Sequence, residues 1–302
     1  MRHLCSPVVV ALSLTLIDAL ATNAVAQSAP PRVDAFIMTS EQLSRDLAER
    51  PSNIVLLHVA NGNDYEQAHI PGARKFTYRA LVGTRGSVQL ELPEPDVLRA
   101  TFEALGVSDS SVVVVYAHEG PMATRALLSL ASLGHARYAL LDGGLTGWQA
   151  RGGQIERTTP TTFTPGRMTA RPRAEVTVTA EWITPRLGRP GVSLIDTRTT
   201  GEYDGTGNRS GMPSAGHLEG ARQLEWQELF ADGLTTLKSR AELEQLYASR
   251  VTSGDTVVTY CWVGYRASAT WFIARVLGYD ARLYDGSYQD WSQKKLPTVI
   301  AK

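Results

Sequence analysis

The stretch TVVTYCWVGYRASATWFIARVL, residues 256–277, decides the fold. Its opening, Thr256 to Tyr260, is short, β-branched and apolar, the composition of a buried parallel strand. From Ala267 to Leu277 apolar residues recur at helical spacing, and Gly278 suits a helix end. Cys261 therefore stands between a strand end and a helix start. Unpaired backbone N–H groups and the helix dipole favour negative charge at such a place. That setting makes a thiolate accessible as a nucleophile. Gly264 lets the backbone curl tightly and Arg266 adds a fixed positive charge, so the loop suits a reactive thiolate facing a small anion.

Outward from this stretch, the chain repeats itself. Val192 to Arg198, then Glu202-Tyr203-Asp204, then Gly216-His217-Leu218-Glu219-Gly220-Ala221 form one series of blocks. Ile54 to Val59, then Asp64-Tyr65-Glu66, then Ala68-His69-Ile70-Pro71-Gly72-Ala73 form the other. Val112 to Tyr116 matches Thr256 to Tyr260, and Leu141–Trp148 matches Tyr284–Trp291. Distinct blocks in one order, in copies this long, mean tandem domains rather than a solenoid. Strands alternate with helical stretches in each copy, among them Thr124 to Leu133. The expected fold class is α/β, each domain a mainly parallel sheet flanked by helices. The boundaries read as 33–155 for the first domain and 175–302 for the second. Between them, residues 156–174 are rich in Thr, Pro and Arg without apolar period, an extended linker.

The 302 residues carry 30 basic and 30 acidic side chains with no charged block, which argues against nucleic acid or an anionic membrane as main partner. Residues 1–26 read as a signal peptide: Arg2 and His3, an apolar core from Val8 to Leu20 interrupted by Asp18, and Ala24-Val25-Ala26 as cleavage site. The core is shorter than the roughly 20 residues of a membrane span. The expectation is a periplasmic or otherwise exported protein, cut near Ala26, with no membrane span in the mature chain. Cleavage removes Cys5 and leaves Cys261 as the one cysteine, so no internal disulfide is expected. No motif implies a metal or a cofactor.

Strand, cysteine loop, helix and then Tyr284-Asp285-Gly286-Ser287 and Trp291, in a duplicated α/β unit, resemble the tandem rhodanese family of sulfurtransferases. The resemblance runs from about Val33 to Lys302. It implies two rhodanese-like domains, the second catalytic and the first degenerate. Ala117 stands where Cys261 would be, Met122 where Arg266 would be, and Glu119 brings a negative charge. The first copy then supports the fold and forms one wall of the cleft. His118, a lone loop histidine, is expected to face solvent.

In the family reaction a cysteine thiolate takes the outer sulfur of a donor such as thiosulfate, leaving a persulfide, which a thiol or cyanide acceptor discharges. Cys261 is the expected nucleophile. The N–H groups of Trp262, Val263, Gly264, Tyr265, Arg266 and Ala267 are expected to cradle thiolate and persulfide as fixed dipoles. Arg266 either meets the donor or braces the loop through a carboxylate, and Arg266→Ala should harm donor use far more than Arg125→Ala. Arg198 and Asp196 end a strand at the same sheet edge, where ligands gather in open α/β folds. The resemblance implies that they hold an anion or brace the loop, while for Asp196 a structural ion pair is equally open. His69 and His217 more readily fix turns, with a supporting role in the cleft kept open for His69. Trp148 and Trp291 read as core, whereas Trp262 is expected to narrow the entrance or favour a less polar acceptor. Animal relatives carry an arginine where Glu202 stands, so donor grip must rest on Arg266, Arg198 and the backbone.

Rival readings remain. The mercaptopyruvate branch is expected to show Cys-Gly-x-Gly-Val-Thr, which this loop lacks, though 3-mercaptopyruvate stays an alternative donor. Cysteine phosphatases place one more residue between Cys and Arg than the Trp262, Val263, Gly264 and Tyr265 found here, and the shorter ring crowds a phosphate. A non-turnover persulfide carrier with a protein sulfur acceptor is the third reading.

Overall fold

A computed structural model describes Met1 and residues 36–158, 162–207 and 214–300. Apart from Met1, the signal peptide expected at 1–26 lies outside the described residues. The chain opens with β1 (Ile37–Met38), α1 (Ser40–Glu49), β2 (Ile54–Ala60), α2 (Asp64–Gln67) and β3 (Arg74–Thr77). A hairpin of β4 (Gly83–Arg85) and β5 (Val88–Glu91) precedes α3 (Pro95–Ala104). The first half then completes β6 (Val112–Tyr116), α4 (Gly120–Ser132), β7 (Tyr138–Leu141) and α5 (Gly144–Ala150). The second half follows as β8 (Thr177–Val178), α6 (Ala180–Ile183), β9 (Val192–Asp196), α7 (Thr200–Asp204) and β10 (Arg222–Gln223). It ends with α8 (Arg240–Ala248), β11 (Thr256–Tyr260), α9 (Ala267–Val276), β12 (Ala281–Tyr284) and α10 (Ser287–Gln293).

The sheet orders are β1-β7-β6-β2-β3 and β8-β12-β11-β9-β10, all parallel, so the two halves share one topology. Alternation explains why the sheets bury both faces. In β2, Val55, Leu57 and Val59 point into one core, while Ile54, Leu56 and Ala60 point into another. In β11, Val257 faces the first of these and Val258 and Tyr260 face a third. The core of Val55 and Val257 is shared by the two domains. Helices α4 and α9, buried nearly all round, lie within it.

Repeated side-chain devices accompany the topology. Tyr116 and Tyr260 accept through their hydroxyls from the N–H groups of Ile70 and Leu218. The indoles of Trp148 and Trp291 donate to the carbonyls of Gln154 and Pro297 from within the folded halves, as core packing requires. Helix α4 begins at Gly120, earlier than the Thr124 expected, because Pro121 fits a first turn whose N–H groups lack partners anyway. Residues 162–173 form no helix or strand, and Met168, Arg171 and Arg173 bond the first domain at Glu103, Leu133 and Ser132. No helix of the described residues is long and apolar enough to cross a membrane.

Candidate active site

Residues 261–266 join the C-terminal end of β11, a strand inside the parallel sheet, to α9. Helix α10 anchors the start of this loop. Cys261 N–H donates to Ser287 Oγ at 3.2 Å, and the Cys261 and Trp262 carbonyls accept from Tyr288 and Gln289 N–H at 3.0 Å each. Ser287 holds this place at φ +53°, the left-handed region, with its hydroxyl donated to the Tyr284 carbonyl at 2.8 Å. Gly264 turns the loop at φ +75°, where a Cβ would sit 2.8 Å from the Asp285 carbonyl oxygen. Only glycine fits.

The loop directs its amides away from the protein's own acceptors. The N–H groups of Val263, Gly264, Tyr265, Arg266 and Ala267 have no hydrogen-bond acceptor among the described residues. Buried or half-buried donors left this way favour an anion. Cys261 itself is 0% exposed, buried beneath the loop that follows it.

Arg266 is held by Glu202, whose carboxylate accepts from Nη1 at 2.7 Å and Nη2 at 3.0 Å. Burial would raise the Glu202 pKa, yet Arg266 and the Thr199 donors hold it down at about 2. Burial likewise depresses the Arg266 guanidinium, but Glu202 and the charge of Cys261 outweigh it and raise its pKa. Glu202 also completes the capping box of α7 with Thr199. The residue read as a missing arginine is thus the carboxylate that braces the loop cation.

Several expected roles change. Arg198, expected at the donor, is 1% exposed: its Nε and Nη2 bond Asp196, Nη2 also reaches the Gly216 carbonyl, and the guanidinium lies 3.9 Å over the Tyr288 ring. Asp196 is fully buried in this ion pair. Trp262, expected to narrow the entrance, is 7% exposed and packs in the outer core of the second domain near Tyr288, because the strand's alternation carries it to that face. His69 donates through Nδ1 to the Tyr65 carbonyl at 2.8 Å and stacks on Tyr65. His217 does the same with Tyr203. His69 contacts Tyr65, Glu156 and Thr158, none of them in the cysteine loop, so both histidines fix turns. His118 is half-exposed but has Asp64 at 3.3 Å.

The first domain reaches the loop through residues the sequence did not mark. The Tyr265 hydroxyl donates to Glu119, and the Tyr78 ring meets Tyr265 edge-on at 5.2 Å. Thr124 and Ser268 share a hydrogen bond of 2.8 Å between α4 and α9. Arg125, 0% exposed, donates from Nη1 to Asp285 at 2.7 Å, lies 3.5 Å from the Gly264 carbonyl oxygen, and donates from Nη2 to the Leu90 carbonyl at 2.7 Å. Expected as a bystander, it buttresses the cysteine loop because α4 docks against α9. No local pattern in the sequence marks a contact between residues this far apart.

The matching edge of the first domain is filled. Residues 117–119 alone separate β6 from α4, and Ala117 follows β6 as Cys261 follows β11. Gly120 abuts the Phe230 ring, and its N–H is taken by the Leu234 carbonyl at 2.8 Å. Met122 is buried in the shared core.

Comparison with known proteins agrees with this architecture. The Rhodanese-like domain family matches residues 39–151 and 179–294. A thiosulfate sulfurtransferase of Pseudomonas aeruginosa is 31% identical over 251 residues, covering 82% of this chain and 91% of that protein. A probable 3-mercaptopyruvate sulfurtransferase of the same organism is 30% identical, covering 85% and 95%. The sulfur carrier protein TtuD of Thermus thermophilus is 29% identical, covering 75% and 83%. Among solved structures, YnjE superposes with a TM-score of 0.80 at 23% identity over 90% of this chain and 70% of that one, a likeness of fold. With both halves matched and relatives aligned along most of their lengths, the chain belongs to the rhodanese-like family, as a member with two tandem domains.

Proposed function

We propose that this sulfurtransferase moves sulfane sulfur from thiosulfate to a thiophilic acceptor through a persulfide on Cys261. The Cys261 thiolate attacks the outer sulfur of thiosulfate, the S–S bond of the donor breaks, and its electron pair leaves with sulfite. Cyanide, or a thiolate, then attacks the outer persulfide sulfur and regenerates the Cys261 thiolate, giving thiocyanate in the cyanide case. Charge balances in both steps and no outside electron is needed. The observation that carries the reading is the run of amides from Val263 to Ala267, without acceptors among the described residues, in the loop of a buried thiol. Fixed dipoles stabilise the sulfur anion without reorganising. Arg266, neutralised in part by Glu202, keeps the loop in shape and leaves the sulfur anion to the amides.

Mass spectrometry after thiosulfate treatment tests the proposal. A gain of one sulfur on the peptide holding Cys261, lost on adding cyanide and absent in Cys261→Ser, is expected; an unmodified peptide with active donor present overturns it. The relatives also favour two neighbouring readings, 3-mercaptopyruvate as donor and a carrier role toward a protein acceptor. Turnover with mercaptopyruvate exceeding that with thiosulfate selects the first. Persulfide formation without turnover selects the second. Cofactor-free chemistry and a periplasmic location after cleavage near Ala26 belong to the same proposal, and a mature N-terminus just after Ala26 in the exported fraction is the expected result.

A further inference from the structure

The Tyr78 hydroxyl is buried and has no hydrogen-bond partner among the described residues. Buried polar groups are nearly always paired, and an orphan is costly, so its partner is expected to arrive from outside the chain. Its position says where. Tyr78 opens the 3-10 turn Tyr78–Leu81 of the first domain, and its ring meets the loop residue Tyr265 edge-on at 5.2 Å and 79°. Burial pushes its pKa up to about 12, with the positive charge of Arg125 opposing and the negative charges of Cys261, Asp285 and Glu119 adding. The phenol therefore stays protonated near neutral pH and acts as a donor.

Three other candidate donors near the loop are committed. Arg266 is bidentate to Glu202, Tyr265 donates to Glu119, and Arg198 is paired with Asp196 in the core. The loop amides serve the sulfur that joins Cys261. The oxyanion end of a sulfonate donor points away from that sulfur and needs donors beyond the loop amides, and Tyr78 of the first domain lies against the loop at Tyr265.

We infer that the Tyr78 hydroxyl is a donor-binding group contributed by the first domain, which hydrogen-bonds the oxyanion end of the sulfur donor while Cys261 attacks its outer sulfur. The assignment rests on the sulfurtransferase reading of Cys261. It gives the cysteine-free domain a direct part in the reaction, and it separates the two half-reactions: only the one that carries a sulfonate uses Tyr78.

Tyr78→Phe tests this, because it removes one oxygen that has no hydrogen-bond partner among the described residues. Thermal stability should be unchanged or higher. The KM for thiosulfate should rise about tenfold or more, as for a lost hydrogen bond to a charged group, while cyanide discharges a preformed Cys261 persulfide at the wild-type rate. Thiosulfate binding by calorimetry to Cys261→Ser, with and without Tyr78→Phe, reads the same contact without turnover, and about tenfold weaker binding is expected. Wild-type thiosulfate binding and KM in Tyr78→Phe overturn the assignment. So does an equal loss in both half-reactions, which marks a structural role. A wild-type protein that forms no persulfide overturns the sulfurtransferase reading alone, since the binding comparison still decides the role of Tyr78.

Discussion

Gly264 and Glu202 show how single residues shape the cysteine loop. Gly264→Ala forces a Cβ within 2.8 Å of the Asp285 carbonyl at a positive φ. The expected result is a loss of about 1–3 kcal/mol of stability by urea unfolding, with sulfur transfer falling further because the amides turn away. Glu202 contributes in a pH-dependent way. Its folded pKa of about 2 lies below the ordinary carboxylate value, so the unfolded state binds the proton more readily. The stabilisation is complete above the ordinary value near 4.3 and disappears as pH falls toward 2, on the order of 2–3 kcal/mol in all. Glu202→Gln should therefore cost stability at pH 7 and little at pH 2, measured by denaturant unfolding at both.

Among elements, the decisive pair is α4 against α9, closed by Arg125 and Asp285 across the domain boundary. Removing one partner leaves a buried charge uncompensated, so Asp285→Asn should destabilise by about 3–5 kcal/mol. Arg125→Met with Asp285→Leu should be milder than the sum of the single changes, as a double-mutant cycle will read. The same interface explains the silent first site. Placing a thiol there by Ala117→Cys in a Cys261→Ser background should give no persulfide by mass spectrometry. The 117–119 loop is short, Phe230 covers Gly120, and Leu234 occupies the Gly120 amide. A cysteine at the right strand end is insufficient where the loop is short, Gly120 is covered and its amide is already taken.

At the scale of the whole molecule, one apolar core runs from Phe36 through α4 and α9 to Leu283, and the described residues from 36 to 300 belong to one compact unit. Heating should give one calorimetric transition with equal calorimetric and van't Hoff enthalpies, where two transitions would show that the halves melt separately. Much of this was legible in the chain itself. Alternating and helical periods are local, so β11 appears at Thr256–Tyr260 as read, and the repeated blocks announce two copies of one topology. Cys261, Gly264 and Arg266 are likewise neighbours in sequence. The reading failed where charge and burial depend on partners far along the chain. Arg198 looked like a donor ligand and lies paired in the core. Trp262 looked like a gate and packs inward. Glu202 looked only like a departure from the animal pattern and braces Arg266. The sequence by itself determined the duplicated α/β units and the cysteine loop, because backbone periodicity and turn chemistry act over a few residues. The tertiary structure decided which cations are committed and that Tyr78, Glu119 and Arg125 reach the loop, because those contacts exist only once the shared core presses α4 onto α9.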